Sequence, residues 1–169
     1  KPSPTKAMHV MEDLQGHIAA VVDGGETGIG LESTVLDVTL EVPTILRPGG
    51  VTKEMLETVI GHVNAPKMEE QEAGIAPKAP GMKYTHYAPN APVYLVEPDN
   101  EMIEHSIRTL MEKGEQVALI APNELQHDLA KYNFTIGPIN DLQAHSSLLY
   151  DALRSCDKTD ATVILATTT

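Results

Sequence analysis

The second half of the chain alternates strand-like and helix-like segments, and this alternation is the strongest constraint on its fold. Residues 92–169 contain the strand-like runs "VYLVE", "VALIAP", "FTIGP" and "ATVILA". Asp99 and Asn123 are predicted to cap intervening helices, and a longer helix is predicted from about Asp141 to Ser155. Strands separated by helices require crossover connections, so the sequence predicts a small Rossmann-like domain with a largely parallel sheet.

The first 63 residues predict a different arrangement of elements. The run "SPTKAMHVMEDLQG" places Ser3 as an N-cap and Pro4 at the first helical position of a helix that ends by Gly16. Three strand-like runs follow, "IAAVVDGG", "ESTVLDVTL" and "VPTILRPGG", and Thr52 then caps a short helix. One helix, three strands and one helix leave a sheet with an uncovered face and open edges. We therefore expect these residues to be the C-terminal part of a larger α/β domain.

Residues 64–91 have the composition of a linker. Proline, glycine and a Glu-Glu-Gln-Glu cluster dominate this stretch, and no hydrophobic period is sustained. Its most unusual part is "APGMKYTHYAP", which carries a lysine, a histidine and two tyrosines. The sequence thus predicts three parts: residues 1–63, a linker at 64–91, and a domain at 92–169.

The charge and cysteine content limit the function classes. The formal net charge of −12 argues against a broad surface for a phosphate backbone, so we do not expect direct nucleic-acid binding. No apolar run approaches the length that spans a bilayer, and no secretory signal is recognisable. The single Cys156 cannot form an internal disulfide. We expect a soluble protein of a reducing compartment, with no membrane partner.

Two short motifs offer polar side chains for a binding site. Ser33 and Thr34 are adjacent hydroxyls that face opposite sides of a predicted strand, although strand propensity alone explains Thr34. Arg47 ends an apolar strand just before "PGG". Its planar fork suits phosphate or carboxylate, whereas a surface pairing with one of the many acids explains it equally well.

Other motifs favour plain structural roles. The glycines of "GGETGIG" lead into a strand rather than a helix, which favours a wide hairpin connection over a phosphate loop. No glycine fingerprint follows the first strand of the second domain, so a dinucleotide is not predicted. Six histidines show no metal-ligand spacing with one another or with the cysteine, and we expect them to be solvated or to cap local backbone. They are His9, His17, His62, His105, His127 and His145.

Five motifs together carry a family resemblance. In order and spacing, "SPTKAMHVMEDLQG", "VVDGG", "ESTVLD", "ILRPGG" and "APGMKYTHYAP" resemble the C-terminal part of the threonylcarbamoyl-AMP synthases, the Sua5/YwlC branch of the Sua5/YciO/YrdC family. Specific motifs extend from Lys1 to about Pro89, and beyond them only the Rossmann-like pattern matches. The resemblance implies an α/β fold: the C-terminal part of a YrdC-like domain, a linker, and a small parallel-sheet Sua5 domain.

The resemblance also implies an activity. Enzymes of this family are cytoplasmic and use ATP, L-threonine and bicarbonate to make L-threonylcarbamoyladenylate and pyrophosphate, with Mg²⁺ accompanying the nucleotide. The product feeds the threonylcarbamoylation of adenosine 37 in tRNA (t6A). The expected partners are therefore these small molecules and the other enzymes of the t6A pathway.

Four residues of this sequence match the family's binding motifs. Ser3, Arg47 and Tyr87 correspond to residues that contact ATP, and Ser33 corresponds to the serine that contacts L-threonine. In the resembling enzymes the linker folds over the cleft, so its tyrosines would exclude water from a labile intermediate. Docking of the linker onto the first domain is the simpler alternative for Tyr84 and Tyr87.

The sequence departs from the family pattern at both ends. The family's lysine- and arginine-bearing nucleotide motif and a "PSAN" segment should precede "SPT", and a glycine-rich segment with an "NR" motif should follow "ILATTT". Without those cations we expect the chain alone to be inactive. The alternative is a non-catalytic Rossmann-like binding or interaction module of the tRNA-modification machinery.

Overall fold

The computed structural model describes residues 2–65 and 88–168. The chain divides into two compact units, one formed by residues 31–86 and the other by residues 1–30 together with 87–169. In chain order the described elements are α1 (Ala7–Leu14), β1 (Val35–Asp37), β2 (Thr44–Arg47), α2 (Lys53–Ile60), β3 (Val93–Val96), α3 (Asn100–Glu112), β4 (Val117–Ala121), a short 3-10 helix (Asn123–Leu125), β5 (Tyr132–Thr135), α4 (Leu142–Cys156) and β6 (Val163–Thr167).

The second half of the chain folds into a four-stranded, fully parallel sheet. The strand order is β3-β6-β4-β5, so the last strand enters between the first two. Every residue of β4 and β6 is buried, because these central strands are covered on both faces. This confirms the predicted mixed α/β fold with a parallel sheet.

Helices α3 and α4 cover opposite faces of this sheet. Ile103 and Ile107 of α3 are completely buried and pack with alternate residues of β4 and β6, including Leu119. Ala152 and Cys156 of α4 pack with the intervening residues of the same strands. Burial of each large aliphatic side chain contributes about 1.5–3 kcal/mol. Because successive residues of a strand face opposite sides of the sheet, the sheet has two separate cores, one against each helix.

Of the two helix caps predicted in this domain, one is confirmed, and the helix predicted from about Asp141 begins at Leu142 with Asp141 as its N-cap. Asp99 accepts a hydrogen bond from the Met102 amide, and Asp141 accepts one from the Ala144 amide, both at 2.9 Å. The prediction for Asn123 was wrong. Its side-chain oxygen accepts a hydrogen bond from the Thr135 hydroxyl instead, so it joins the 3-10 helix to β5 rather than capping a helix.

The unit at residues 31–86 contains an antiparallel strand pair and a helix. Strand β1 pairs with β2, with Leu36 opposite Ile45. Thr52 caps α2 by accepting from the Met55 amide at 3.3 Å. Gly61 follows α2 with a φ of 78°, a conformation that favours glycine. The two predicted strands and the Thr52 cap are confirmed.

Two expectations for the first 30 residues were wrong. Helix α1 begins at Ala7 and not at Pro4, so its N-cap is Lys6, with an extended backbone, and not Ser3; residues 2–5 are not helical. The predicted strand "IAAVVDGG" does not form, and Val22 is 95% exposed. A strand needs a neighbour with which to exchange backbone hydrogen bonds, and no described residue pairs with this stretch.

Two further expectations concern the whole chain. Among the described helices, none combines the length and apolar character needed to cross a bilayer. The predicted domain boundaries after residues 63 and 91 stay predictions, and "APGMKYTHYAP" lies almost entirely outside the described residues.

Candidate functional site

Arg47, at the end of β2, is held against Ser33, two residues before β1. Its Nε and Nη2 donate hydrogen bonds to the Ser33 carbonyl oxygen at 3.1 and 2.9 Å, and Nη2 also donates to Ser33 Oγ at 3.3 Å. The arginine is half-buried and the serine is exposed. A guanidinium fork can hold one acceptor from two nitrogens, which a lysine cannot. We call this arrangement the Ser33–Arg47 clasp.

The register of the strand pair brings the clasp together. Val35 is the Cα partner of Arg47, so Ser33 lies just beyond that pair at the same end of the strands. An irregularity between Val35 and Leu36 shifts the register there. Irregularities of this kind bend a strand and re-aim its side chains, and they recur next to binding sites.

A close backbone approach reinforces the clasp. The Gly50 amide donates to the Glu32 carbonyl at 3.2 Å, and Thr34 Oγ1 both donates to the Val51 carbonyl and accepts from the Val51 amide. A Cβ added to Gly49 would lie 2.3 Å from both Glu32 O and Thr34 N. Glycine is therefore required at this position by the close packing of the two segments.

Ser3 belongs to the other unit, in the non-helical segment before α1. It is half-buried between Pro2 and Thr5, which are both buried. Because Pro4 follows it, the helical region of φ/ψ space is disfavoured for Ser3 and an extended conformation is favoured. Tyr87 lies outside the described residues, so the expectation of a nucleotide contact there stays a prediction.

Helix α4 contacts the segment around Ser3 through a partly buried hydrogen-bond chain. The Thr5 amide donates to His9 Nδ1 at 3.1 Å, and His9 Nε2 lies 3.0 Å from Asp151 Oδ1. Because Nδ1 accepts, the hydrogen-bond pattern assigns the proton of a neutral ring to Nε2, which then donates to Asp151. Lys6 donates to the other oxygen of Asp151 at 2.8 Å.

These contacts shift two pKa values. Burial alone would raise the pKa of the Asp151 carboxyl, but the hydrogen bond and charge of Lys6, together with His9, outweigh it and hold that pKa below its ordinary value. The hydrogen bond from Lys6 to Asp151, opposed by partial burial, raises the pKa of the lysine. Both groups therefore remain charged at neutral pH.

Arg154, on the same helix, is a buried cation that the sequence reasoning missed. It is 4% exposed, and its guanidinium contacts the Pro2 carbonyl and the Asp13 carboxylate. One signal was present in the sequence: in "LQAHSSLLYDALRSC" only Asp151 and Arg154 are charged. A helix with so few charges is expected to be covered on more than one side.

One structural expectation about a motif was wrong. The "GGETGIG" loop is not a hairpin connection, since the strand before it does not form; instead the Gly30 amide donates to the Ser146 carbonyl of α4 at 3.1 Å. The expectation that the histidines are solvated or cap local backbone holds for His9 and His145 in its second form. Both are buried, His9 Nδ1 accepts from the Thr5 amide, and His145 Nε2 lies 2.8 Å from the Pro138 carbonyl oxygen. No group of three or more His, Cys, Asp or Glu side chains within 2–65 and 88–168 is arranged to hold a metal ion.

Comparison with known proteins matches both parts of the chain to sequence families. Residues 51–169 match the family described as "Threonylcarbamoyl-AMP synthase, C-terminal domain", and residues 1–49 match the Sua5_yciO_yrdC family, described as "Telomere recombination". The threonylcarbamoyl-AMP synthase of Bacillus subtilis is 46% identical over 169 residues, covering 98% of this chain and 48% of the relative. That of Pyrococcus abyssi is 42% identical over 170 residues, with the same two coverages.

Solved structures agree with these matches. The crystal structure of P. abyssi Sua5 complexed with L-threonine superposes with a TM-score of 0.85 at 40% identity, covering 100% of this chain and 49% of that one. A variant of the same protein, with a His and the adjacent Tyr changed to Ala, gives a TM-score of 0.84 at 39% identity. The chain spans about half the length of the curated relatives it matches.

The described residues thus define an α/β protein with a small parallel-sheet domain and a second unit whose antiparallel strand pair carries a polar site. The chain belongs to the threonylcarbamoyl-AMP synthase family, in its Sua5 branch.

Proposed function

We propose that this chain carries part of the active site of a threonylcarbamoyl-AMP synthase. The reaction makes L-threonylcarbamoyladenylate and pyrophosphate from ATP, L-threonine and bicarbonate, for t6A formation at adenosine 37 of tRNA. The Ser33–Arg47 clasp is the observation that carries the proposal, because it joins the residue proposed for L-threonine to a residue proposed for ATP.

The geometry of the clasp suits Ser33 to its proposed ligand. A hydroxyl has one donor and two acceptor positions, and Arg47 Nη2 occupies an acceptor position of Ser33 Oγ. The O–H is then directed elsewhere and can donate to a carboxylate or hydroxyl of L-threonine. P. abyssi Sua5, solved with L-threonine, supports this ligand class for the fold.

Arg47 is proposed to bind ATP while it holds Ser33. The reaction forms a bond between a carbamate oxygen and the α-phosphorus and breaks the bond to pyrophosphate, so negative charge moves among phosphate oxygens. A fixed guanidinium stabilises such charge. Contact with both substrates through one rigid pair would set the distance between the reacting groups.

Ser3 and Tyr87 complete the proposed ATP contacts, with Mg²⁺ brought by the nucleotide. The variant of P. abyssi Sua5 alters an adjacent His and Tyr. This sequence has one such adjacent pair, His86 and Tyr87, and we propose that the two pairs correspond. We further propose a cytoplasmic location and the other t6A enzymes as partners.

The experiment measures threonylcarbamoyl-AMP formation from ATP, bicarbonate and L-threonine. This chain is assayed alone and then mixed with a separately produced N-terminal half of the synthase. Activity in the mixture, silence in the chain alone and loss of activity in Ser33→Ala would support the proposal. Two folded halves that bind each other and remain inactive would count against it and favour the non-catalytic binding module.

A further inference from the structure

Arg154 holds the backbone immediately before Ser3. Its Nε donates to the Pro2 carbonyl oxygen at 2.9 Å, and Nη2 donates to the same oxygen. That oxygen belongs to the peptide group that joins Pro2 to Ser3. The guanidinium therefore restrains the orientation of the peptide bond that precedes Ser3. The remaining side of the fork contacts Asp13 of α1, with Nη1 3.2 Å from Oδ1.

A second anchor holds the backbone two residues after Ser3. The Thr5 amide donates to His9, which lies against Asp151, and the Thr5 carbonyl accepts from the Thr27 amide at 3.0 Å. Thr5 is 4% exposed and His9 is 3% exposed, so water has little access to the hydrogen bond between them, whereas Asp151 is half-buried and Thr27 is exposed. Both anchors therefore trace back to one helix, α4.

The residue between the anchors has little freedom of its own. Pro2 and Pro4 flank Ser3, and each proline has a fixed φ and lacks an amide donor. With its preceding carbonyl held by Arg154 and the following Thr5 amide held by His9, Ser3 can present its side chain in few directions. Such restraint is what a binding residue on an extended segment requires, because flexible segments lose affinity when they become ordered.

Helix α4 makes these contacts through charged side chains, although apolar side chains alone could pack a helix against the segment. Arg154 is a buried cation, and burial of a charge is unfavourable unless hydrogen-bonded partners compensate. Its partners here are a carboxylate and the carbonyl next to Ser3. Because Nε and Nη2 both donate to one backbone carbonyl, the buried arginine restrains the position of that carbonyl, which an apolar residue could not do.

We propose that helix α4 of the parallel-sheet domain positions Ser3 for nucleotide binding, with Arg154 and Asp151 as positioning residues. The proposal rests on the proposed function, since it takes Ser3 as an ATP contact. It gives the parallel-sheet domain a role in catalysis without a ligand of its own. Neither residue is expected to touch substrate.

The first test follows hydrogen exchange of individual amides by NMR in this chain without substrates. In Arg154→Lys, which keeps the charge but loses the fork, the Thr5 and Thr27 amides should exchange about tenfold faster, while core amides such as that of Leu119 stay protected. Asp151→Asn should accelerate the same amides and serves as the second variant if Arg154→Lys fails to fold. Lys158→Ala is the matched control, because Lys158 pairs with Glu12 of α1 but is 52% exposed.

The second test measures KM and kcat in the mixture with the N-terminal half. Arg154→Lys should raise the KM for ATP about tenfold and change the KM for L-threonine less than about twofold, with Lys158→Ala unchanged in both. If Arg154 had a purely structural role, Arg154→Lys would reduce the fraction of folded, active enzyme. The apparent kcat would then fall while the KM values for ATP and L-threonine stayed unchanged. That outcome, or unchanged Thr5 exchange in both variants, would overturn the proposal.

The two tests separate this proposal from the proposed function. If the mixture makes no threonylcarbamoyl-AMP, the proposed function fails, and titration of the chain with ATP, followed by chemical shifts at Thr5, replaces the kinetic arm. Weaker ATP shifts in Arg154→Lys than in Lys158→Ala then support positioning of Ser3. Identical titrations in the two variants overturn it.

Discussion

The guanidinium of Arg47 reaches back 14 residues to the carbonyl and hydroxyl of Ser33. One side chain therefore fixes both the backbone and the side chain of the residue proposed to bind L-threonine. A substitution at Arg47 should weaken the binding of both ATP and L-threonine, whereas a substitution at Ser33 should weaken mainly the binding of L-threonine. This asymmetry can be measured.

Arg47→Lys should weaken ATP binding while preserving the charge. A single ammonium cannot donate from two nitrogens to Ser33 and also face a phosphate, so we expect the KM for ATP to rise on the order of tenfold, about 1.4 kcal/mol. The measurement is the KM for ATP in the mixture with the N-terminal half. Arg108→Lys is the control, since Arg108 is exposed and pairs with Glu104 on α3. Equal KM values for both variants would contradict the role of the fork.

Gly49→Ala should force apart the two backbone segments that meet beside the clasp, residues 32–34 and 49–51. The new Cβ would lie 2.3 Å from two backbone atoms, which cannot rotate away as a side chain could. We expect a loss of about 1–3 kcal/mol in the free energy of unfolding and a higher KM for L-threonine. Gly28→Ala is the control, because nothing lies within 4 Å of its added Cβ. Urea unfolding of both variants decides the matter, and equal midpoints would show that the segments can move apart freely.

Asp151 should make the stability of the protein depend on pH in the acid range. Its pKa is held below the ordinary value of about 3.9, so its stabilising contribution is complete above that pH and is lost as pH falls through the lower, folded-state pKa. The free-energy difference between the natural chain and Asp151→Asn should therefore be largest at neutral pH and shrink below about pH 4. Urea unfolding across this range measures it, with the exposed Asp128→Asn as control. A difference that stays constant with pH would exclude the charge contribution.

Cys156 should be unreactive in the folded protein. Burial, aided by the charge of Asp157, raises the pKa of its thiol to about 12, and the side chain is 3% exposed. Because the thiolate is the nucleophile, reaction with a disulfide reagent at pH 8 should be slower than that of a free thiol by on the order of a thousandfold. The reaction is followed in the native chain and again in guanidinium chloride, where it should be fast. Rapid labelling of the native chain would show that the core around α4 opens readily.

The parallel-sheet domain was largely predictable because its signals are local. Apolar runs of strand length, Asp99 and Asp141 at helix starts and the alternation of element types all lie within short windows of sequence. The cap expected at Asn123 failed for the opposite reason. Its side chain had a partner in β5, Thr135, 12 residues away, and that contact prevailed over the local preference.

The candidate site was predictable only residue by residue. Ser33 and Arg47 each stood out in the sequence, but nothing local indicated that they touch. The strand "IAAVVDGG" and the early start of α1 were expected from propensity and did not form. A strand depends on a partner, and the backbone at Pro2 and Thr5 is held outside a helix by the hydrogen bonds of Arg154 and His9. Propensity carries no information about such partners.

The sequence by itself determined the class of fold, the family and the residue types available for binding, because apolar periodicity, caps and motif order are properties of neighbouring residues. Only the tertiary structure decided that Arg154 lies against Pro2, 152 residues earlier in the chain, and that His9 is buried beside Asp151. Such contacts depend on the packing of α4 against the first segment of the chain. A buried charge is stable only where folding brings its hydrogen-bonding partners close to it, and no local stretch of sequence specifies which distant residues those partners are.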